Sequence, residues 1–267
     1  MDYIEQHFGS YIEIIKNPVY ENGDVLHLDV GDFVVQKLLG EGAEGYIYEV
    51  GSLSAPGESF ALKLPQLGTR GTITEELAGQ YVKSVKLLRT LKHENIISVN
   101  PRSRFMLMEK ADGTLSSLRG VTTEPASSFF LQKAGLDVTA GMEKLYAEGI
   151  YHSELFTHNV VYVETEDSVT FKIIDIGFTH EEPRLLADLK YFAEDLEKLF
   201  NVSKYDEFLK SVEKATDLGE LKQAFTLNPG ATQKPLSAEL QLRRAEAANS
   251  GGPLDDTLST PSRSSGC

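Results

Sequence analysis

The stretch "GIYHSELFTHNVVY", residues 149–162, sets His152, Glu154 and Asn159 close together and then runs into apolar residues. Ahead of it, "SSFFLQKAGLDVTAGMEKLYAEG" carries a helical pattern that stops at Gly149, as helices commonly stop at glycine. Behind it, "VVYVE" and "VTFKIID" read as two brief strands. A loop between a helix and a strand thus carries a carboxylate and a carboxamide, which makes it the first candidate for a functional site.

Working outward, residues 2–16 place Ile4, Phe8, Tyr11, Ile12 and Ile15 at helical spacing, weakened by Gly9. This predicts an amphipathic helix that packs on the protein's own body, the alternative being a helix that binds a partner. From Asp32 to Leu64 the pattern shortens into strand-like runs, "FVVQKLL", "GYIYEV" and "SFALKL", broken by Gly, Ser and Pro. "TEELAGQYVKSVKLLRTL" returns to helical spacing, with Leu77, Tyr81, Val85, Leu88 and Leu91 as one stripe. "RFMLME" predicts another strand, and helices dominate from Leu185 through Phe225. Strands first, one helix among them, then mostly helices: this order predicts an α+β protein of two unequal lobes.

The 267 residues carry a formal charge of −14. Surfaces that follow phosphate backbones need clustered Lys and Arg, so the expectation is no nucleic acid and no anionic membrane as partner. No run approaches the roughly 20 apolar residues of a membrane span. The first twenty residues lack a basic start and an unbroken apolar stretch, so no signal peptide is expected. The single cysteine, Cys267, rules out an intrachain disulfide and a cysteine metal site. A cytoplasmic location is the resulting expectation, with export by another route left open.

Five further segments carry motifs in a fixed order. "LGEGAEGYI" holds Gly40, Gly42, Gly45 and Ile47; "FALKL" holds Ala61 and Lys63; "FMLMEKADGTL" holds Met108, Glu109 and Ala111. "KIIDIGF" holds Asp175, and "ADLKYFAEDLEKLF" holds Asp188. Together with "HSELFTHN" and "TLKHENII", these motifs make residues 32–226 resemble the protein-kinase family. The resemblance implies a bilobal protein-kinase-like fold, with a small β-rich N-lobe and a reduced, mostly helical C-lobe. It divides the chain into an N-terminal extension with the amphipathic helix (1–31), the N-lobe (32–110), the shortened C-lobe (111–226) and a tail (227–267).

The resemblance also implies ATP and Mg²⁺ as cofactors. Gly40, Gly42, Gly45 and Ile47 would form the glycine-rich loop over the phosphates, where missing Cβ atoms let backbone approach a triphosphate. Ala61 would lie above the adenine and Lys63 on the phosphates. Met108 would be the gatekeeper, with Glu109 to Ala111 offering backbone groups to adenine. Asp175 and Asn159 would be the metal ligands, and Glu154 would stand in the slot of the catalytic base. His152 falls on a residue that is usually structural in the family.

Four departures oppose a fully conventional enzyme. Counting back from "LKHENII", the family's helix-C glutamate slot falls on Ser84, and Glu76 lies eight residues earlier, roughly 12 Å along a helix. Lys63 is therefore expected to lack its usual partner or to find another carboxylate such as Asp175. Ser153 replaces the arginine that receives activation-loop phosphates, and the span from Asp175 to Asp188 is short for an activation segment. Phe156 replaces the lysine that Ser/Thr kinases carry near the transferred phosphate. Glu154 is one methylene longer than the family's Asp, displacing the carboxylate by roughly 1.5 Å.

Two main readings follow, beside a third that keeps the nucleotide but transfers a nucleotidyl group. The first is a divergent Mg·ATP-binding kinase with weak or partner-activated phosphotransfer to a protein acceptor. The alternative is a pseudokinase scaffold that binds a protein partner without catalysis. Small-molecule kinases share the spacing of the 149–162 loop, so the acceptor need not be a protein.

Beyond Asn228 the chain is rich in Gly, Pro, Ser and Ala and nearly free of large apolar residues, which predicts a disordered tail. Deleting residues 230–267 should accordingly leave the melting temperature unchanged in a thermal scan. A drop of several degrees would mean that the tail docks on the body.

Overall fold

The computed structural model describes residues 3–42, 45–65, 75–119, 124–152, 154–165, 168–176, 184–200 and 206–226. Ser153 and the whole tail lie outside these residues, as does most of the segment between Asp175 and Asp188.

Five antiparallel strands form the first sheet in sequence order: β1 (Val25–Leu28), β2 (Gly31–Gly42), β3 (Gly45–Ser52), β4 (Ser59–Pro65) and β5 (Met106–Glu109). β2 and β3 pair as far as Gly42 opposite Gly45, and β2 is irregular between Val35 and Lys37 and again between Leu38 and Gly40. Alternation along β4 sends Leu62 and Leu64, both fully buried, to one face and Ala61 and Lys63 to the other. Helix α3 (Glu75–Leu88) follows β4. Its buried side chains are Ala78, Tyr81, Val82, Val85 and Leu88, whereas Leu77 is 37% exposed. The expected stripe was therefore rotated by one residue at its start: Ala78, not Leu77, begins the face that packs inward.

The N-terminal helix forms in two pieces, α1 (Tyr3–Phe8) and α2 (Ile12–Lys16), separated by a 3-10 turn over Gly9–Tyr11. Gly9 has φ +56°, a conformation cheap for glycine, and it breaks the helix where the sequence suggested weakness. Phe8 and Ile15 are fully buried, so the segment does pack on the body. The residues following it supply β1, which pairs with β2 and had not been legible in the sequence.

The second sheet has three antiparallel strands, β6 (Gly113–Thr114), β7 (Val160–Glu164) and β8 (Val169–Ile173). It is tied to the chain leaving α3: the Ile97 amide donates to the Ile173 carbonyl at 3.0 Å, and the Ile173 amide donates to the Asn95 carbonyl at 2.9 Å. Helices α4 (Glu124–Ala147), α5 (Leu185–Phe200), α6 (Asp206–Lys214) and α7 (Leu218–Thr226) complete the molecule. Phe130 on α4 stacks on Phe200 of α5 with centroids 6.0 Å apart, and meets Phe171 of β8 edge-on. Among the described residues no helix is long and apolar enough to cross a membrane.

α4 ends as its glycine foretold. Gly149 has φ +72°, its amide donates to the Tyr146 carbonyl and the Ile150 amide reaches back to the Leu145 carbonyl at 2.9 Å. This double closure satisfies the last carbonyls of the helix and points the chain into the 150–159 loop.

One close approach fixes how α4 sits on the second sheet. A Cβ at Gly141 would lie 2.7 Å from the Asn95 carbonyl oxygen and 2.9 Å from Ile173 Cδ1. Backbone cannot yield as a side-chain tip can, so Gly141→Ala should destabilise the fold by about 1–3 kcal/mol in denaturant unfolding, despite alanine's better helix propensity. A neutral or stabilising result would contradict this packing.

Candidate functional site

The site lies where β4, the 150–159 loop and the end of β8 converge. Lys63 leaves β4 with its side chain 9% exposed and donates to Asp175 Oδ1, whose side chain is 26% exposed. Asp175 follows β8 with φ +53°, in the left-handed region, and is the only non-glycine residue there among the described residues. Aspartate tolerates this conformation better than most residues. The next residue, Ile176, is 2% exposed and plugs the interior in the position where the family pattern has Phe.

Asn159 is placed against the same strand end. Its carbonyl accepts from the Ile174 amide at 3.0 Å, while its side-chain Nδ2 donates to the Glu154 carbonyl at 2.9 Å. Because the amide nitrogen is used in holding the loop, Oδ1 is the atom left to act as a ligand. Thr157 donates its backbone N–H to Asp195 Oδ2 of α5 at 3.0 Å, a second anchor that the sequence reading missed. A carboxylate on a helix face carries no local signal of such a partner. Asp188, singled out in the sequence, accepts from the Tyr146 hydroxyl at 2.6 Å. Burial, then this acceptor, pushes the Tyr146 phenol upward.

Glu154 is exposed on the loop. Phe156 is 48% exposed and stacks nearly parallel on His158, with centroids 5.4 Å apart. Across the first sheet, Ile47 pairs with Lys63, and Ala61 with Met108. Met108 is 8% exposed. The Glu109 amide is given to the Ser98 carbonyl, and its carboxylate accepts from the Ser98 amide and from Lys172. Ala111, by contrast, has neither its N–H nor its C=O engaged among the described residues. At Gly40 and Gly42 an added Cβ would meet nothing within 4 Å, so the chain's own packing does not demand glycine there. Ser84, the expected helix-C position, is half-buried on α3.

His152 is 1% exposed, and its Nε2 has no hydrogen-bond partner among the described residues. Burial lowers its pKa to about 4, with Asp175 pulling the other way. The folded protein thus keeps a neutral imidazole that protonates more readily once unfolded. Between the unfolded value of about 6.5 and the folded value of about 4, the unfolded state binds more protons, so stability is full above this window and falls as pH drops through it. Unfolding free energy should decline more steeply in wild type than in His152→Leu between pH 7 and pH 4.5. The difference in decline should be on the order of 2–3 kcal/mol. Parallel pH profiles would show that His152 is not the buried neutral group described.

The Protein kinase domain family matches residues 33–189. Among curated proteins, the serine/threonine-protein kinase Kist of Rattus norvegicus is 29% identical over 176 residues, covering 60% of this chain and 41% of the relative. Kist of Homo sapiens gives the same figures. The inhibitor of nuclear factor kappa-B kinase subunit alpha of Danio rerio is 22% identical over 165 residues, covering 57% of this chain and 21% of the relative. This chain therefore spans well under half of the length of these relatives. Among solved structures, a double mutant of the PknI kinase domain of Mycobacterium tuberculosis superposes with a TM-score of 0.52 at 15% identity, over 78% of this chain and 97% of that one. That likeness bears on the fold. With the α+β bilobal architecture and the match across more than half of its length, the chain belongs to the protein kinase domain family.

Proposed function

We propose that this chain is a divergent kinase that binds Mg·ATP between its two sheets and transfers phosphate, weakly or on activation by a partner, to a protein acceptor. The observation that carries this reading is the joining of Lys63 to Asp175 beside Asn159, which gathers one cation and two oxygen ligands from three separate elements. The proposed unit is the pair of lobes over residues 32–226, with the preceding helix packed on it.

The residues present suit such a ligand. Glycines facing open space at 40 and 42 leave room for phosphate to meet backbone N–H groups. Ala111 keeps backbone groups open for an adenine edge, and Ala61 and Met108 give that edge an apolar wall. Mg²⁺ dehydrates reluctantly and commonly takes one or two protein oxygens with phosphate and water, so Asp175 and Asn159 suffice.

Mg·ATP, when bound, supplies the phosphoryl group that is transferred. Lys63 neutralises charge on the phosphates, which is most of what a protein contributes to phosphoryl transfer. Glu154, exposed on its loop, takes the proton of the acceptor hydroxyl. Phe156 leaves the wall beside it without a fixed positive charge, so the transition state is stabilised less than in a conventional Ser/Thr kinase. The exposed Phe156–His158 stack is also what favours the second reading, a pseudokinase scaffold that docks a protein on this face.

Phosphotransfer by purified protein, read as autophosphorylation or on a candidate partner, distinguishes the two. Glu154→Gln should lower turnover by roughly 10²-fold or more while leaving ATP affinity unchanged. Asp175→Asn should remove the Mg²⁺ dependence of ATP binding. A wild type without turnover in the partner's presence, with partner function intact in Glu154→Gln, would establish the scaffold instead.

A further inference from the structure

Tyr81 stands in the middle of α3 with 7% of its surface exposed, and its hydroxyl is spent entirely on the backbone of the first sheet. It donates to the Lys63 carbonyl at 2.9 Å and accepts from the Met106 amide at 2.8 Å. Lys63 and Met106 form the last register pair between β4 and β5. One phenol therefore clamps the two strands where their ladder ends, at the residue that bears the site's lysine. Burial raises the phenol's pKa, so it remains a donor at any physiological pH.

The clamp is itself held from outside the family match, which begins at residue 33. Phe8 of α1 is fully buried, with its ring 6.2 Å from Tyr81 and 5.4 Å from Phe105, the residue before Met106. The backbones are fastened as well: Arg104 donates from a guanidinium nitrogen to the His7 carbonyl at 3.0 Å. A Phe8–Tyr81–Lys63 line thus runs from the N-terminal helix through α3 to the lysine.

We infer that Tyr81 is the positioning residue for Lys63, and that α1 holds Tyr81 in place through Phe8, making the N-terminal helix a working part of the nucleotide site. The inference rests on the Mg·ATP reading above. Phosphate charge is neutralised only by a lysine in the right place, and misplacement by about 1 Å can cost a hundredfold in rate. Adenine contacts at Ala111 lie beyond the other end of β5 and do not depend on the clamp.

The test uses the full chain and three measurements: affinity for Mg·ATP, affinity for adenosine, and the acylation rate of Lys63 by an amine-reactive probe. Lys222, paired with Glu143 at 2.7 Å, is the internal reference for labelling. Tyr81→Phe keeps the ring and deletes the hydroxyl. It should lower Mg·ATP affinity by about tenfold, the order of one well-placed hydrogen bond, leave adenosine affinity unchanged, and raise Lys63 labelling relative to Lys222. Phe8→Leu, which keeps an apolar filler, should show the same pattern more weakly. Equal loss of ATP and adenosine affinity, or no change in ATP affinity and labelling, would overturn the inference. If wild type binds neither ligand, the nucleotide reading fails and labelling decides alone: a rise in Tyr81→Phe upholds the hold on Lys63, and an unchanged rate refutes it.

Discussion

An ammonium and a carboxylate meet between the two sheets of this molecule, and much of its architecture serves to bring them there. Lys63 comes from the first sheet and Asp175 from the end of the second, and both side chains are largely withdrawn from water. Neither charge would tolerate that withdrawal alone, because an unpaired buried charge is costly. The pair therefore couples the placement of β4 to the placement of β8. It also helps explain why Asp175 persists in a left-handed backbone conformation that costs of order 1–3 kcal/mol. Removing Lys63 takes from the Asp175 carboxylate the ammonium from which it accepts.

Around this pair, the supporting contacts come from backbone more than from further charges. Asn159 is fixed by its own amide and by the Ile174 amide, the loop is pinned to α5 by Asp195, and β4 is clamped to β5 by a tyrosine hydroxyl. Asn159, Asp195 and Tyr81 each use a polar side chain to satisfy a main-chain group that has no ladder partner of its own. Such contacts set position finely because they leave little choice of geometry.

Much of this was legible in the sequence, for definite reasons. The glycine, lysine and Asp175 motifs are local patterns on single elements, so the resemblance to the protein-kinase family picks them out together, and the stop of α4 at Gly149 needs only the residue's permissive φ. With Ser84 in the slot of the family's helix-C glutamate, the resemblance leaves Lys63 either without its usual partner or with another carboxylate such as Asp175, and Lys63 does donate to Asp175. What escaped depended on through-space partners. β1 is only four residues long and pairs by virtue of β2; Tyr81 looked like one more apolar stripe residue; and Asp195 gave no sign of reaching Thr157. Periodicity gives a face only to within a residue or so, so it puts Leu77 in the stripe where the fold buries Ala78.

The central claim is that Lys63, Asp175 and Asn159 form a site for a magnesium nucleotide. Thermal unfolding of the wild-type chain with ATP and Mg²⁺, against ATP with a chelator and Mg²⁺ alone, addresses it most directly. The account predicts a melting temperature raised by the combination well beyond either component, with a stabilisation of about 2.7 kcal/mol at a hundredfold excess over Kd. Identical melting in all three conditions at millimolar nucleotide would contradict it.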